Sequence, residues 1–438
     1  MNGSRWERFA LVGWIISLVC LTGCPAPKDE RGIAAGARTA GENVAPATSS
    51  RVATAQAEDV AAAKTLLDGL RASAKYKLLP GDIMTEIVIQ DGSALSSEDI
   101  VLFGKLTDLE KLQIFNFRSM NDEMAARLSG LKNLTTLALT NSVINDPTVE
   151  MIAKSFPKLK DLDLSSNTNL TNSVLRVICE IFQLERLTLV QNQFTDSLTS
   201  RLANLKNLRA LDLRGNMEAG DMTLEIVGAL PKLNALKHRS TIVSDFGMEY
   251  LAQCKPLDSL LIQDFAITGQ SGPHLAQLEN LTQLEIFRCQ SFGSEGVLAL
   301  AGMKLTRLTL RDLPMVDDQA MAVFADLPQL KRLYLHELDS VSDHGLQNLA
   351  ALQSLEILDI WTVPQMTDAT VEVIAGLENL KELSIRTTGV TDAAVDRLLA
   401  MPNLQSLTFK DNGMVTAEGL KKLSGKKWSK LDVGSGEG

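Results

Sequence analysis

The chain has 438 residues, of which 43 are Lys or Arg and 53 are Asp or Glu, so its formal net charge is −10. Without residues 1–23, which contain Arg5, Glu7 and Arg8, 41 basic and 52 acidic residues would remain, a net charge of −11. Since nucleic-acid-binding domains are usually net basic or carry a long basic stripe, this balance argues against nucleic acid as a partner.

The first segment has the pattern of a signal peptide. Two arginines precede an apolar stretch over residues 9–21, which is too short to span a membrane. It ends in Leu21-Thr22-Gly23-Cys24, which resembles the lipobox of bacterial lipoproteins. The resemblance implies cleavage after residue 23, lipid on Cys24 and a protein anchored in the cell envelope. Pro25, where Asp can signal inner-membrane retention, favours the outer membrane or cell surface. An uncleaved hydrophobic anchor is the alternative.

The segments that follow differ in composition. Residues 24–57 contain few large apolar side chains, which predicts a lipidated flexible tether. Residues 58–83 begin with Ala-rich helix formers that place Leu66, Leu67 and Leu70 on one side, which predicts an N-terminal helical cap. At the other end, Trp428 starts a degenerate last repeat, and residues 434–438 are predicted to be a flexible tail.

Between these ends, the pattern apolar-x-x-apolar-x-apolar recurs at steps of 24 or 25 residues. A unit this small cannot bury its own apolar face and must stack on its neighbours. Although 438 residues would usually suggest two or three domains, residues 84–433 therefore predict one repeat domain of about 15 repeats. The repeats start at Met84, Leu109, Leu134, Leu159, Leu184, Leu208, Leu233, Leu257, Leu281, Leu305, Leu330, Leu355, Leu380, Leu404 and Trp428.

The sequence pattern of each repeat predicts a strand, a turn, a helix and a second turn. Alternation in the apolar pattern is typical of a short half-buried strand. A Ser or Thr followed by Asp, as in Ser342-Asp343 and Thr391-Asp392, can cap a helix and place a carboxylate at the positive end of its dipole. Apolar residues at three- and four-residue spacing then describe one helical face.

The period and pattern resemble those of leucine-rich repeats. This resemblance implies an α/β fold, a horseshoe-shaped solenoid with a parallel β-sheet on the concave face and helices on the convex face. The repeats also resemble those of F-box leucine-rich-repeat proteins, the substrate receptors of ubiquitin ligases, but the chain has no F-box-like helical segment. The closer resemblance is to bacterial lipid-anchored leucine-rich-repeat proteins.

Cysteines and histidines indicate no catalytic chemistry. Cys179, Cys254 and Cys289 replace core residues of other repeats, with Cys289 at the site of an inward Asn, so all three are predicted to be core thiols. His238 occupies an apolar strand position. It predicts a locally irregular strand with a hydrogen-bonded or partly solvated imidazole, or alternatively a hinge or pH-sensitive kink. Because no catalytic, phosphate-binding or metal-binding motif occurs, we predict no enzyme activity, cofactor or metal.

The C-terminal repeats concentrate arginines and aromatic residues on the concave face. The positions two, four and six residues after each repeat start point outward and form columns along the sheet. Such residues are typical of interface hot spots, although they can also stack on one another to cover the sheet. The predicted binding residues are Phe287, Arg307, Arg311, Arg332, Tyr334, His336, Asp359, Trp361 and Arg386.

These observations predict a non-catalytic, membrane-tethered scaffold that binds a protein or peptide through the concave face. One alternative is a structural envelope protein whose solenoids pack on one another. A second is a glycan-binding module, in which Trp361 and Tyr334 would stack on sugar rings beside Asp359 and Arg386.

Overall fold

The computed structural model describes residues 47–197 and 199–434. The signal peptide, Cys24 and most of the predicted tether lie outside these residues. Strand order in the described sheet follows chain order from β1 to β16. β1 is antiparallel to β2, and each later pair is parallel.

The strands are β1 (Ala74–Leu79), β2 (Ile83–Ile89), β3 (Lys111–Ile114), β4 (Thr136–Leu139), β5 (Asp161–Asp163), β6 (Arg186–Thr188), β7 (Ala210–Asp212), β8 (Ala235–Arg239), β9 (Ser259–Gln263), β10 (Gln283–Phe287), β11 (Arg307–Arg311), β12 (Arg332–His336), β13 (Ile357–Val363), β14 (Glu382–Thr388), β15 (Ser406–Lys410) and β16 (Lys430–Gly434). From β3 onward they start at steps of 24 or 25 residues, the repeat spacing predicted from the sequence.

A helical segment follows each strand from β2 to β15, which confirms the predicted repeat unit. The α-helices are α1 (Ala47–Gly69), α2 (Ser97–Gly104), α3 (Asp122–Ala126), α4 (Asp146–Ser155), α5 (Val174–Ile178), α6 (Asp221–Gly228), α7 (Asp245–Leu251), α8 (Gly272–Ala276), α9 (Ser294–Leu298), α10 (Asp343–Leu346), α11 (Asp368–Ala375), α12 (Asp392–Ala400) and α13 (Ala417–Leu423). The 3-10 helices are Arg71–Ser73, Gly92–Ala94, Thr199–Asn204, Gly269–Ser271, Asp318–Asp326 and Gln347–Ala351.

The strand register places one set of side chains in the core and the alternate set on the face that points away from it, here called the open face. In β12, Leu333 and Leu335 are fully buried, whereas Tyr334 and His336 between and after them are half-buried. Buried residues of successive repeats form one continuous core. The predicted in-and-out alternation is therefore confirmed.

The N-terminal segment differs from its prediction at both ends. α1 begins at Ala47, inside the predicted tether, and ends at Gly69 instead of continuing through the cap. Ala63 and Leu67 of α1 are buried in the core, and Asp59 lies 3.2 Å from Lys105 of the first repeat. Residues 74–79 form β1 instead of helix, because their pairing with β2 satisfies backbone groups at the edge of the sheet.

Buried asparagines close the turns after several strands. Asn167, Asn192, Asn216 and Asn412 are almost fully buried. Each donates to a carbonyl oxygen in, or directly after, the strand of the preceding repeat, with distances of 2.7–3.1 Å. Since each of these amides satisfies backbone groups of the preceding repeat, it fixes the spacing between neighbours.

The three cysteines are buried and free within the described residues, as predicted. Burial raises the pKa of the Cys179 and Cys289 thiols to about 12 and that of Cys254 to about 11. All three therefore remain protonated at neutral pH and behave as apolar core groups.

The chain turns sharply after most strands through a left-handed residue, seven positions after the repeat start. Gly215 holds this position in one repeat, but the other residues found there carry side chains, although the left-handed conformation costs them energy. These are Asn116, Asn141, Ser166, Gln191, Asp264, Arg288, Asp312, Glu337, Thr362, Thr387 and Asp411, with φ between 51° and 61°.

Aspartates at or near helix starts connect nine pairs of neighbouring repeats. Each carboxylate accepts a hydrogen bond from a backbone N–H about 25 residues later, at 2.6–3.0 Å. In most cases the same carboxylate also accepts a hydrogen bond from the hydroxyl of the Ser or Thr that caps the next helix. The predicted caps are thus confirmed, and their aspartates also join repeats. This aspartate ladder comprises Asp122, Asp146, Asp196, Asp221, Asp245, Asp318, Asp343, Asp368 and Asp392.

The ladder predicts acid sensitivity, which Asp343→Asn tests. Burial would raise the pKa of Asp343, but hydrogen bonds from Thr367 and Thr370 outweigh it, so the pKa lies below its usual range. Its stabilisation is therefore present above the unfolded pKa of about 4 and is lost as pH falls through the folded pKa. We expect the variant to be about 1–2 kcal/mol less stable at pH 7, with a smaller difference in acid. Urea unfolding at several pH values measures this.

Asp339→Asn, at an exposed turn outside the ladder, is the matched control. It should change the free energy of unfolding by less than about 0.5 kcal/mol throughout the pH range. A pH-independent loss in Asp343→Asn would contradict the ionised role of the ladder.

Candidate functional site

The predicted binding residues lie on adjacent strands of the open face. In the row at the strand ends, Phe287 pairs with Arg311, Arg311 with His336, His336 with Trp361, and Trp361 with Arg386. Neighbouring strands in a sheet are about 4.8 Å apart, so this row forms one continuous surface. The other four predicted residues lie beside this row on β11, β12 and β13: Arg307, Arg332, Tyr334 and Asp359.

Guanidinium groups hold the aromatic rings of this row in place. The Arg311 Cζ atom lies 4.4 Å from the Phe287 ring centroid and 5.2 Å from that of Trp361. Arg386 contacts Trp361 from the next strand, also at 5.2 Å. The His336 ring meets Trp361 edge-on, with centroids 5.7 Å apart. Such cation–π and edge contacts restrict the rotamers of Trp361, which remains half-buried.

Ion pairs tie the same strands together. Asp359 lies 3.3 Å from His336 Nε2, and each of its two oxygens accepts from Arg386 Nη2 at 3.2 Å. Burial would raise the pKa of Asp359, but His336 and Arg386 outweigh it and lower the pKa below its usual range. Arg311 Nη2 donates to Glu337 Oε1 at 3.0 Å. The arginines thus have anionic neighbours, and the surface is a mixed-charge patch rather than a bare cationic one.

The remaining predicted residues complete one edge of the patch. Arg307 and Arg332 are register partners on β11 and β12. The Arg307 Cζ atom lies 5.0 Å from the Tyr334 ring centroid, and Tyr334 meets His336 edge-on at 6.1 Å. The structure therefore brings all nine predicted residues together. We call them the open-face patch.

Sequence reasoning missed a second surface, on the helical side of the molecule. Met222 in α6, Phe246 and Tyr250 in α7, and Ile242 before α7 are exposed apolar residues of two adjacent repeats. Phe246 is 69% exposed. The sequence signal is an apolar residue directly after the helix-starting Asp, where equivalent repeats have Ala369 or other small or polar residues. We call these four residues the lateral patch.

His238 is not at an irregular strand, which corrects one prediction. β8 and β9 pair over five residues in unbroken register, including His238 with Ile262. The imidazole is fully buried, its Nε2 lies 2.8 Å from the Ala219 carbonyl oxygen, and its ring meets Phe265 edge-on at 5.3 Å. The hydrogen-bonded part of the prediction is confirmed. Burial lowers the pKa of His238, so the ring is neutral at physiological pH.

The described residues contain neither a candidate metal site nor a candidate membrane span. Within residues 47–197 and 199–434, no three His, Cys, Asp or Glu side chains are grouped so that they could hold a metal ion. No helix in the described part of the chain combines the length and apolar character needed to cross a membrane.

Comparisons with known proteins give one match by family and several by structure. The model of a leucine-rich-repeat family matches residues 277–301 and 400–424. A search of curated proteins finds no match. The structure of the yeast Rad7–Elc1 complex is similar with a TM-score of 0.52 and 18% identity, over 88% of this chain and 90% of that chain.

Two internalins of Listeria monocytogenes strain 4b F2365 are also similar. InlF has a TM-score of 0.49 and 18% identity, over 87% of this chain and 97% of its own. Internalin C2 has a TM-score of 0.37 and 21% identity, over 56% of this chain and 84% of its own. Together, the repeat period, the sheet in chain order, the family match and the similarity to the Rad7–Elc1 structure show that this chain folds as a leucine-rich-repeat solenoid.

Proposed function

We propose that this protein is a non-catalytic, membrane-tethered scaffold that binds a protein or peptide through the open-face patch. Leucine-rich-repeat proteins generally serve as protein-binding scaffolds, and Rad7 is found in complex with Elc1. The observation that carries the proposal is the row from Phe287 to Arg386, where aromatic and arginine side chains occupy five adjacent strands.

The patch is suited to binding because its side chains are already ordered. Arg311 and Arg386 are each held by a carboxylate and an aromatic ring. Less side-chain entropy is therefore lost when a partner binds. Arginine and tryptophan are also enriched among residues that dominate binding energy at protein interfaces. The internal stacking that the sequence offered as an alternative thus supports binding rather than replacing it.

A protein or peptide fits this surface better than a glycan. Sugar rings bind by stacking on an exposed aromatic face. The guanidinium groups of Arg311 and Arg386 lie over the Trp361 ring, and that of Arg307 lies over Tyr334. A sugar would have to displace these groups, whereas a peptide can use their outward N–H donors and the ring edges.

The proposed site is tested by Trp361→Ala. Partners are recovered from envelope extract on the immobilised full chain, and their affinity is then measured by calorimetry. Because Trp361 contacts three other residues of the ordered row, we expect its loss to weaken binding by about 2 kcal/mol, a roughly 30-fold rise in Kd. Arg311→Glu should also weaken binding, with salt-dependent wild-type affinity if the partner is acidic.

Phe246→Ala in the lateral patch provides the control for that experiment. It removes an exposed aromatic residue from a different surface and should leave the affinity unchanged. Unchanged binding in Trp361→Ala combined with a loss in Phe246→Ala would move the binding surface to the lateral patch.

The membrane tether is proposed from the lipobox and is tested by Cys24→Ala. We expect this variant to lose acylation, since the modified thiol is absent, and to accumulate as an unprocessed or mislocalised precursor. Metabolic labelling with a radioactive fatty acid and fractionation measure both effects. Cys20→Ala, inside the predicted signal peptide, is the matched control and should still be labelled. A lipid-labelled Cys24→Ala protein in the membrane fraction would refute the tether.

A further inference from the structure

Three hydrogen-bonding atoms of the open-face patch and of the residue beneath it are buried without a hydrogen-bond partner among the described residues: Thr309 Oγ1, Arg311 Nε and His336 Nε2. His336 Nε2 lies 3.3 Å from a carboxylate oxygen of Asp359, which leaves Thr309 Oγ1 and Arg311 Nε. Both belong to β11 and are two residues apart, so their side chains lie on the same face of the strand. Thr309 is only 5% exposed although it belongs to the open face.

The burial of Thr309 comes from its neighbours. Glu285 and Tyr334 are its register partners on the adjacent strands. The guanidinium group of Arg311 lies toward the Phe287 and Trp361 rings, and its Nη2 pairs with Glu337. Because buried polar groups in folded proteins are nearly always hydrogen-bonded, these two atoms are candidates for an acceptor from outside the described residues.

We propose that a carboxylate of the bound partner, from an Asp or Glu side chain, accepts hydrogen bonds from Thr309 Oγ1 and Arg311 Nε. This proposal rests on the binding function proposed above and names the group that is recognised. Arg311 Nε can only donate and the Thr309 hydroxyl can donate, so both match the acceptor-only oxygens of a carboxylate. The positive charge of Arg311 makes such bonds stronger than those to a neutral carbonyl.

A singly charged group fits this place better than a phosphate. Glu285 lies on one side of Thr309, and Glu337 already pairs with Arg311. A dianion would meet both carboxylates at close range, whereas a single carboxylate can share Arg311 with Glu337, which accepts from a different nitrogen.

The test uses N-acetyl-aspartate amide as the probe and N-acetyl-asparagine amide as its neutral analogue. Both are titrated into the full chain while the Arg311 Nε–H signal is followed by NMR, with its assignment made from an Arg311→Lys spectrum. We expect the aspartate probe to shift this signal in a dose-dependent manner and the asparagine probe to leave it in place. Equal shifts with both probes would overturn the proposal, as would no shift with either.

The matched variants are Thr309→Val and Thr85→Val. Thr85 Oγ1 is a second buried hydroxyl without a partner in the described residues, but it lies in β2, outside the patch. Both variants exchange such a hydroxyl for a methyl group, so both should raise the midpoint of thermal unfolding. Only Thr309→Val should weaken binding of the aspartate probe, with a rise in its Kd of about tenfold. If the Kd of the aspartate probe were the same in Thr309→Val as in the wild type, the proposal would be overturned.

The two proposals fail separately. A partner that depends on Trp361, found together with an aspartate probe that does not shift Arg311, would retain the binding surface and reject carboxylate recognition. Loss of the carboxylate response in Thr309→Val, with normal folding shown by its raised unfolding midpoint, would support both.

Discussion

Asn216→Ala should lower the free energy of unfolding by about 4 kcal/mol. Asn216 is fully buried, and its Nδ2 donates to the carbonyl oxygens of Leu189 at 2.7 Å and Leu213 at 2.9 Å. Its Oδ1 accepts from the backbone N–H groups of Phe194 at 2.9 Å and Asn192 at 3.3 Å. Alanine leaves these four backbone groups without the amide, and each unsatisfied buried group costs about 1–3 kcal/mol before relaxation. Urea unfolding followed by circular dichroism measures the loss.

Asn280→Ala is the matched control for this prediction. Asn280 also bonds a backbone carbonyl of the preceding repeat, that of Lys255 at 2.9 Å, but it is exposed to solvent. Water can replace its hydrogen bond, so the expected loss is less than about 1 kcal/mol. Equal losses in the two variants would mean that burial does not determine the contribution of these amides.

Leu335→Ala should cost about 2–5 kcal/mol, because it removes a fully buried side chain from the middle of the stack. Leu335 lies between its register partners Leu310 and Ile360, which leaves little freedom for the cavity to collapse. Tyr334→Ala changes the adjacent residue on the open face and should cost less than half as much. Chemical denaturation of both variants provides the comparison.

The pair of variants also tests the strand register. Successive residues of a strand point to opposite faces, so a shift of one residue would exchange the environments of Tyr334 and Leu335. Similar losses in both variants would show that the register is wrong, and the positions of all nine patch residues would change with it.

The repeating part of the fold could be predicted because its signal recurs fifteen times. The positions of the patch residues followed, since the register of one strand fixes that of the next. β1 was missed because residues 74–79 occur once and have no period to interpret. The left-handed turns were missed because Thr362 and Glu337 stand where glycine would give the signal, although Asn and Asp recur at that position.

The contacts within the patch could not be predicted because they depend on rotamers and not on spacing. The sequence placed Arg311 next to His336, yet its guanidinium reaches past that strand to Trp361. The burial of Thr309 likewise comes from side chains on adjacent strands. The same holds for the aspartate ladder, in which the second partner of each carboxylate belongs to the next repeat.

The aspartate ladder gives the solenoid a direction. Each rung, meaning one Asp carboxylate and the backbone N–H bonded to it, joins a repeat to the one that follows toward the C-terminus. The carboxylate of one repeat therefore fixes where the helix of the next repeat begins. The last rung runs from Asp392 to Thr416, which caps α13. The residue after this cap is Ala417, where a ladder repeat would have Asp, so no further rung follows within residues 417–434. The same gap occurs at Gly269 after the cap Thr268, and further repeats follow it, so a missing rung does not by itself end the array.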